Sequence, residues 1–278
     1  MAKNSTFDIV FSDFDGTLFS KGREISALDI QILRDWGREG IRRVIATGRS
    51  YFSLRKVIPP DFPVDFVILS SGAGIMEWPT KRLLQSFSLS GSLTDELCRR
   101  LHEENIPFFV QDPLPKNHFG YFSADHSADA DFKRRLTLYR SFLLPIKQRQ
   151  TDQNASQFIL TGQKPESLKK MLRPWLAQLH FIRATSPLDH KTLWLEILPR
   201  GVSKAQAARY LCSYLQIPRE KTLAIGNDYN DLDLLDWAHR AFVMPDSPPP
   251  LLARYSQLIL REHSVLFSLK EIKKRSGV

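Results

Sequence analysis

Asp13-Phe14-Asp15-Gly16-Thr17-Leu18 closes the first apolar run of the chain, Phe7 to Phe11, and decides the reading of the fold. Two carboxylates two residues apart, at the carboxyl end of a strand, can share one metal ion. They can also divide two chemical tasks: the first attacks an electrophile, and the second manages a proton on the leaving group. Gly16 lets the backbone leave the strand abruptly and, with Thr17, exposes N–H groups there. Asp and Gly also favour ordinary turns, so the stretch gains its meaning from what surrounds it.

Around it the chain alternates. Ser26 to Asp29 reads as a capping box ahead of Ile30, Leu33 and Trp36 at helical spacing. Gly40 ends that helix, and Ile41 to Ala46 supplies a second strand. Ser50 caps a short helix expected to run until Pro59-Pro60, and Val64 to Leu69 is a third strand. The rhythm returns near the other end. Ser203 opens a helix with the apolar stripe Ala205, Ala208, Leu211, Cys212 and Leu215. Thr222–Ile225, Ala241–Met244 and Gln257–Leu260 read as strands, with Asp231–Ala238 a helix and a further helix following Pro248-Pro249-Pro250. Strands and helices alternating in this way predict an α/β fold: a doubly wound, Rossmann-like parallel sheet.

The middle differs. Candidate strands Pro107–Val110, Gly120–Ser123, Gln157–Leu160, Phe181–Ala184 and Leu193–Leu198 include neighbours with no helix between them, which requires antiparallel pairing. Residues 88–198 are therefore expected to form an inserted α+β domain, with 1–87 and 199–278 forming the core.

Composition bounds the function. The chain has 278 residues, 42% hydrophobic and 25% charged, which suits a globular protein with a real core. No apolar run approaches the roughly 20 residues needed to span a bilayer, and the first six residues lack the apolar stretch of a secretion signal. The expectation is a cytoplasmic protein with no membrane partner. Two cysteines, Cys98 and Cys212, offer no disulfide framework and read as buried thiols. The net charge of +9 suits anionic substrates. Its clusters, Lys133-Arg134-Arg135, Lys147 to Arg149 and Lys273 to Arg275, are not interleaved with aromatics, so a nucleic-acid partner is not expected. Asp125, His126, Asp129 and Asp131 have no standard ligand spacing and read as a polar loop entering a helix. Glu196 reads as part of an alternating strand.

Three further motifs fall at the strand ends of the parallel part. Thr47-Gly48-Arg49 follows the second strand, Lys204 opens the helix after the insertion, and Gly226-Asn227-Asp228-Tyr229-Asn230-Asp231 follows a late strand. In open α/β sheets the ligand crevice lies beyond the carboxyl ends of the strands. Carboxylates, a hydroxyl, an amide and a lysine gathered there suit Mg²⁺ and a phosphate.

With these motifs in order, the chain resembles the haloacid dehalogenase superfamily of phosphatases, in the Cof-type or sucrose-phosphatase-like branch with a type C2 cap. Ala46-Thr47-Gly48-Arg49 and Glu196 to Lys204 belong to the likeness, which spans nearly the whole chain. The resemblance implies Asp13 as nucleophile forming an aspartyl-phosphate, and Asp15 as the acid and later base. It implies Thr47, Gly48 and Lys204 on the phosphate, and a cap that closes over the leaving group. Mg²⁺ is implied at Asp13, at the Asp15 carbonyl and at the late acidic loop. Two positions depart from the family pattern. Asn227 stands at the first acidic position of Gly-Asp-x-x-Asn-Asp, leaving Asn227, Asp228 and Asp231 as candidates for the late metal contact. Ser71-Gly72-Ala73 stands where Asn-Gly-Ala is frequent, which puts Ser71 and Gly72 beside Arg49 as substrate-side candidates. The implied activity is Mg²⁺-dependent hydrolysis of a small phosphorylated metabolite, a sugar phosphate. The rivals are phosphotransfer by a sugar phosphomutase and a silent binding homologue. Oligomeric state is not read from these residues.

Overall fold

The computed structural model describes residues 6–19, 25–124, 128–186, 189, 191–260 and 264–275. Residues 1–5, read above for a secretion signal, and Asp125 and His126 lie outside the described residues. Two compact units emerge: Met1–Gly48, Ile58–Leu84 and Lys204–Val278 in one, Arg49–Val57 and Gln85–Ser203 in the other.

In chain order the described elements begin with β1 (Ile9–Ser12), α1 (Ala27–Arg38), β2 (Arg42–Ala46), α2 (Tyr51–Leu54), β3 (Phe66–Leu69), β4 (Gly74–Glu77) and β5 (Arg82–Ser86). Next come α3 (Gly91–Glu103), β6 (Phe108–Gln111), β7 (Gly120–Ser123), α4 (Ala130–Leu138), β8 (Leu143–Pro145), β9 (Gln157–Thr161), α5 (Pro165–Met171), β10 (Leu179–Thr185) and β11 (Leu193–Pro199). The chain closes with α6 (Lys204–Leu215), β12 (Thr222–Gly226), α7 (Leu232–Trp237), β13 (Arg240–Val243), α8 (Pro249–Leu252), β14 (Ser256–Gln257) and α9 (Val265–Arg275).

The first unit is built on a sheet ordered β14-β13-β12-β1-β2-β3-β4-β5. The pairs from β14 through to β3 are parallel, and β4 returns antiparallel to β3. Chain order runs away from β1 in one direction through β2 and β3, and resumes on its other side at β12. Such a reversal is where open α/β sheets place their ligand crevice, here beyond the carboxyl ends of β1 and β12. Alternation along the strands turns Ile9, Phe11, Val44, Ala46, Phe66 and Ile68 toward Ala208, Leu211, Leu234 and Leu235 of α6 and α7. On α1, Ser26 Oγ accepts from Asp29 N at 2.9 Å, and Ile32, Leu33 and Trp36 are buried. Trp36 meets Phe7 edge-on at 5.6 Å between centroids. Asp29, buried in the same stripe, accepts from Ser264 Oγ and Leu266 N at 2.7 and 2.8 Å, tying α1 to the start of α9.

The second unit carries a sheet ordered β10-β11-β9-β6-β7-β8, antiparallel except between β7 and β8. Leu93, Leu97 and Leu101 of α3 and Leu168 of α5 cover one face with Phe108, Phe158 and Ile197. Phe132 of α4 packs on the other with Phe109, Ile159 and Trp194. Asp129 caps α4 by accepting from Phe132 N at 2.7 Å, and Asp131 accepts from Trp194 Nε1 and pairs with Arg134. The two described acids of that stretch, Asp129 and Asp131, serve local structure, as the polar-loop reading expects. Glu196 is buried within β11.

The expected α/β fold with an inserted α+β module stands, with three strands added. The hairpin β4–β5 follows a turn in which Ser70 and Ser71 take φ of 48° and 54°, a left-handed conformation that sequence patterns assign to Gly or Asn. β8 has only three residues, one of them Pro145, and proline argues against a strand except at an edge, where β8 lies. The helix capped by Ser50 stops at Leu54, well before Pro59. Both cysteines are buried, and burial pushes each thiol up to about 12, so neither is a reactive thiolate at neutral pH. No helix among the described residues is long and apolar enough to cross a membrane.

Candidate active site

The parallel register places the ends of three strands side by side. Ser12 pairs with Ile225 on one flank and Ile45 on the other. Asp13 N donates to Ile225 O at 2.8 Å and continues the ladder by one step. Asp13 therefore leaves the sheet between Gly226 and Ala46, and Thr47 follows one residue later.

Gly16 has φ of 82°, and its N–H donates to Phe19 O at 2.7 Å, closing the loop after β1. A Cβ there would meet the Asn227 side-chain nitrogen at 2.1 Å, so the glycine lets the two loops touch. Gly226 does the same for Asp231, whose Cγ would lie 2.5 Å from an added Cβ.

Lys204 is fully buried at the start of α6. Its ammonium donates to Asp13 Oδ1 at 2.7 Å and to Asp231 Oδ1 at 2.6 Å. A cation in the first helical turn faces an unfavourable dipole, and these two carboxylates offset it. Asp231 Oδ2 accepts from the N–H groups of Asn227 and Asp228 at 2.9 and 3.1 Å. Asp228 completes a capping box with Asp231 around the 3-10 turn Tyr229–Asp231. Both oxygens of Asp231 are thus engaged in holding Lys204 and the loop.

Two carboxylates share one ammonium in this buried cluster. Burial first, and then the Asp231 charge, push Asp13 up to about 8 against the opposing pull of Lys204. Burial lowers the Lys204 pKa, but Asp13 and Asp231 outweigh it and hold the ammonium well above its usual range. Further positive charge beside Asp13 would act with Lys204 toward the ionised nucleophile.

The other oxygen of Asp13 faces the Asn227 amide. One terminal atom of that amide lies 3.1 Å from Asp13 Oδ2 and 3.0 Å from the Asp15 carbonyl oxygen, and the other faces donors. Thr17 Oγ1 is 3.3 Å from Asn227 Oδ1. With the amide oxygen toward Asp13, a carboxyl oxygen, a carbonyl oxygen and an amide oxygen converge. Neighbouring oxygens around an octahedral Mg²⁺ lie about 2.9 Å apart, so the donor set and its spacing fit a small hard cation. Among the described residues no cluster of three or more His, Cys, Asp or Glu forms a metal centre of another kind.

Thr47 is buried, its N–H donating to Ile68 O at 2.9 Å and its carbonyl accepting from Ser71 N at 3.0 Å. This bond joins the loops after β2 and β3, bringing Thr47 and Ser71 together. Ser71 Oγ is buried without a hydrogen-bond partner, and Gly72 follows with φ of 109°. Gly48 is half-buried at the edge of the first unit. Arg49 belongs to the second unit, where Nη1 donates to Ser53 Oγ at 3.5 Å.

Sequence reasoning gave no role to Asp233, whose Oδ2 accepts from Ala205 N at 3.1 Å at the start of α6. Thr17 also went without a side-chain role although its motif was recognised. Neither position has a spacing signal, because their partners lie 28 and 210 residues away.

The profile of the haloacid dehalogenase-like hydrolases matches residues 10–263. The chain belongs to that family. This hydrolase is 24% identical to the phosphatase YwpJ of Bacillus subtilis, over 95% of this chain and 99% of that protein. It is also 24% identical to an HMP-PP phosphatase of Yersinia pseudotuberculosis, over 88% and 86%. Among solved structures, a haloacid dehalogenase-like hydrolase from B. subtilis superposes with a TM-score of 0.73 at 22% identity, covering 95% of this chain and 99% of that one. The resemblance read from the motifs agrees with these relatives, and the expected enzyme class, a phosphatase of this family, is theirs.

Proposed function

We propose that this hydrolase is a Mg²⁺-dependent phosphatase that cleaves a small phosphate monoester, a sugar phosphate, through an aspartyl-phosphate on Asp13. One observation carries the reading. Asp13 sits at the sheet's topological reversal with one oxygen held by Lys204 and the other facing the Asp15 carbonyl and the Asn227 amide. An HAD subclass IIB sugar phosphatase, BT4131, shares the fold at a TM-score of 0.72 and 16% identity, and its name supports the choice of substrate class.

In this reading Asp13 attacks phosphorus, the ester P–O bond breaks, and Asp15 gives its proton to the departing alkoxide. Asp15 then takes a proton from water as that water attacks the phosphoryl group, releasing inorganic phosphate and restoring Asp13. Lys204 holds Asp13 in place and offsets its charge. The hydroxyl of Thr47 and the N–H of Gly48 would receive the phosphoryl oxygens. Ser71 and Gly72 would stand on the substrate side. Asp13, the Asp15 carbonyl and Asn227 would hold Mg²⁺, with Asp228 and Asp231 shaping the loop behind them. When bound, the ion would supply positive charge that lets an anionic nucleophile approach an anionic phosphate.

A panel of phosphorylated sugars, nucleotides and glycolytic intermediates, assayed with Mg²⁺ for released phosphate, tests the reading. Release from a sugar phosphate supports it. Positional isomers without free phosphate would show phosphomutase chemistry instead.

Two predictions follow from the assigned roles. Exhaustive chelation should stop turnover and added Mg²⁺ should restore it; full activity after chelation would exclude the mechanism. Asp15→Asn should slow turnover by about 10²–10⁴-fold, the usual loss when a proton-transfer group is removed. An unchanged steady-state rate would remove Asp15 from that role.

A further inference from the structure

We infer that the Asn227 carboxamide bridges Asp13 Oδ2 and the Asp15 carbonyl by hydrogen bonds in its own right, from the position at which it would ligate the cation. It turns its N–H₂ to Asp13 Oδ2 and the Asp15 carbonyl when no metal is bound, and rotates to present oxygen when Mg²⁺ enters. The inference rests on the metal reading above and concerns a residue whose position in the family motif is usually acidic.

The geometry fixes the place of the amide and shows which of its ends faces acceptors. The amide atom nearest Asp13 lies 3.1 Å from Oδ2 and 3.0 Å from the Asp15 carbonyl oxygen, both acceptors, whereas the opposite atom faces donors. Nitrogen toward Asp13 donates to both acceptors, whereas oxygen in that place meets the Asp15 carbonyl oxygen with no proton between them. Asn227 is packed flush on Gly16, where a Cβ would lie 2.9 Å from its Cγ. Its N–H is fixed on Asp231 Oδ2 at 2.9 Å. The side chain is therefore held in place, and nitrogen and oxygen exchange only by a half-turn about its last bond, which leaves the occupied volume unchanged. Thr17 Oγ1, at 3.3 Å, suits both orientations, since a hydroxyl donates to an amide oxygen and accepts from an amide nitrogen.

An aspartate at this position could not donate in either orientation. It would place another carboxylate against Asp13 Oδ2 and the Asp15 carbonyl oxygen, two acceptors at 3.1 and 3.0 Å from the amide atom it replaces. The amide keeps the metal-free site hydrogen-bonded, and it weakens metal binding twice: Mg²⁺ must displace those donors, and it gains a neutral ligand in place of a charged one.

The test is Mg²⁺ titration calorimetry on the full-length protein and on Asn227→Asp, after chelator dialysis and without substrate, with thermal unfolding of each in chelator and in Mg²⁺. Asn227→Asp should bind Mg²⁺ about tenfold or more tightly, because ligand charge tunes affinity at oxygen sites. It should unfold at a lower temperature than the parent in chelator, and its rise on adding Mg²⁺ should be the larger. Asn227→Ala provides the second arm, with lower stability in chelator and weaker Mg²⁺ binding. Equal Mg²⁺ affinity and equal stability in chelator across parent and variants would overturn the amide inference and leave the metal reading intact. Absence of Mg²⁺ binding by every form, including Asn227→Asp, would overturn both.

Discussion

Asp13→Asn is expected to lower phosphate release by about 10⁴-fold or more, the scale on which removal of a covalent nucleophile is felt. The amide preserves shape and can still accept from Lys204, but it does not form the acyl-phosphate. The same substitution has an unusual stability signature. Asp13 stands at about 8 against an ordinary 3.8, raised by burial and by Asp231. A raised acid favours the folded state below about pH 3.8, and that contribution fades as pH climbs through 8. Ionised Asp13 therefore opposes folding at pH 8, and the asparagine removes that opposition. In chelator at pH 8 the variant's unfolding midpoint should match or exceed the parent's. A large loss of stability would mean that Asp13 is structural, and near-parental turnover would refute its role as nucleophile.

The second large effect belongs to Lys204→Met. Methionine fills much of the same volume, but it leaves Asp13 and Asp231 buried without their shared cation. Removing one partner from a buried ion pair costs about 3–5 kcal/mol. The cost should grow between pH 5 and pH 8, because the stranded carboxylates must either ionise in a low-dielectric site or hold protons against rising pH. Denaturant unfolding at several pH values measures this directly. A pH-independent loss below about 1 kcal/mol, the range of exposed pairs, would contradict the buried cluster. Activity should fall as well, since Asp13 loses the group that holds it.

Much of this site was legible in the sequence because its parts lie where strands end. Asp13-Phe14-Asp15, Thr47-Gly48, Lys204 and Asn227 to Asp231 each follow an apolar run or open a helix, and a parallel sheet must bring such positions to one edge. Helix starts were readable for the same local reason, since Ser26, Ser50 and Asp129 accept from N–H groups three residues on. Conformations and distant partners were not readable in this way. The two left-handed serines that turn β3 into β4 carry no Gly or Asn signal, and Pro145 hides an edge strand. The division of labour within the late loop was also hidden. Spacing alone could not say that Asp231 gives one oxygen to Lys204 and the other to two backbone N–H groups, leaving Asn227 to face Asp13.

In this mechanism phosphate passes through a covalent bond to Asp13. The most direct measurement is rapid acid quench of the enzyme with Mg²⁺ and a turned-over substrate, followed by peptide mass spectrometry, with product phosphate analysed after reaction in ¹⁸O-labelled water. A phosphoryl group is expected on the peptide containing Asp13, absent from Asp13→Asn, with ¹⁸O in the released phosphate. Unmodified Asp13 throughout turnover, or phosphate returned to a second sugar hydroxyl without ¹⁸O, would contradict it.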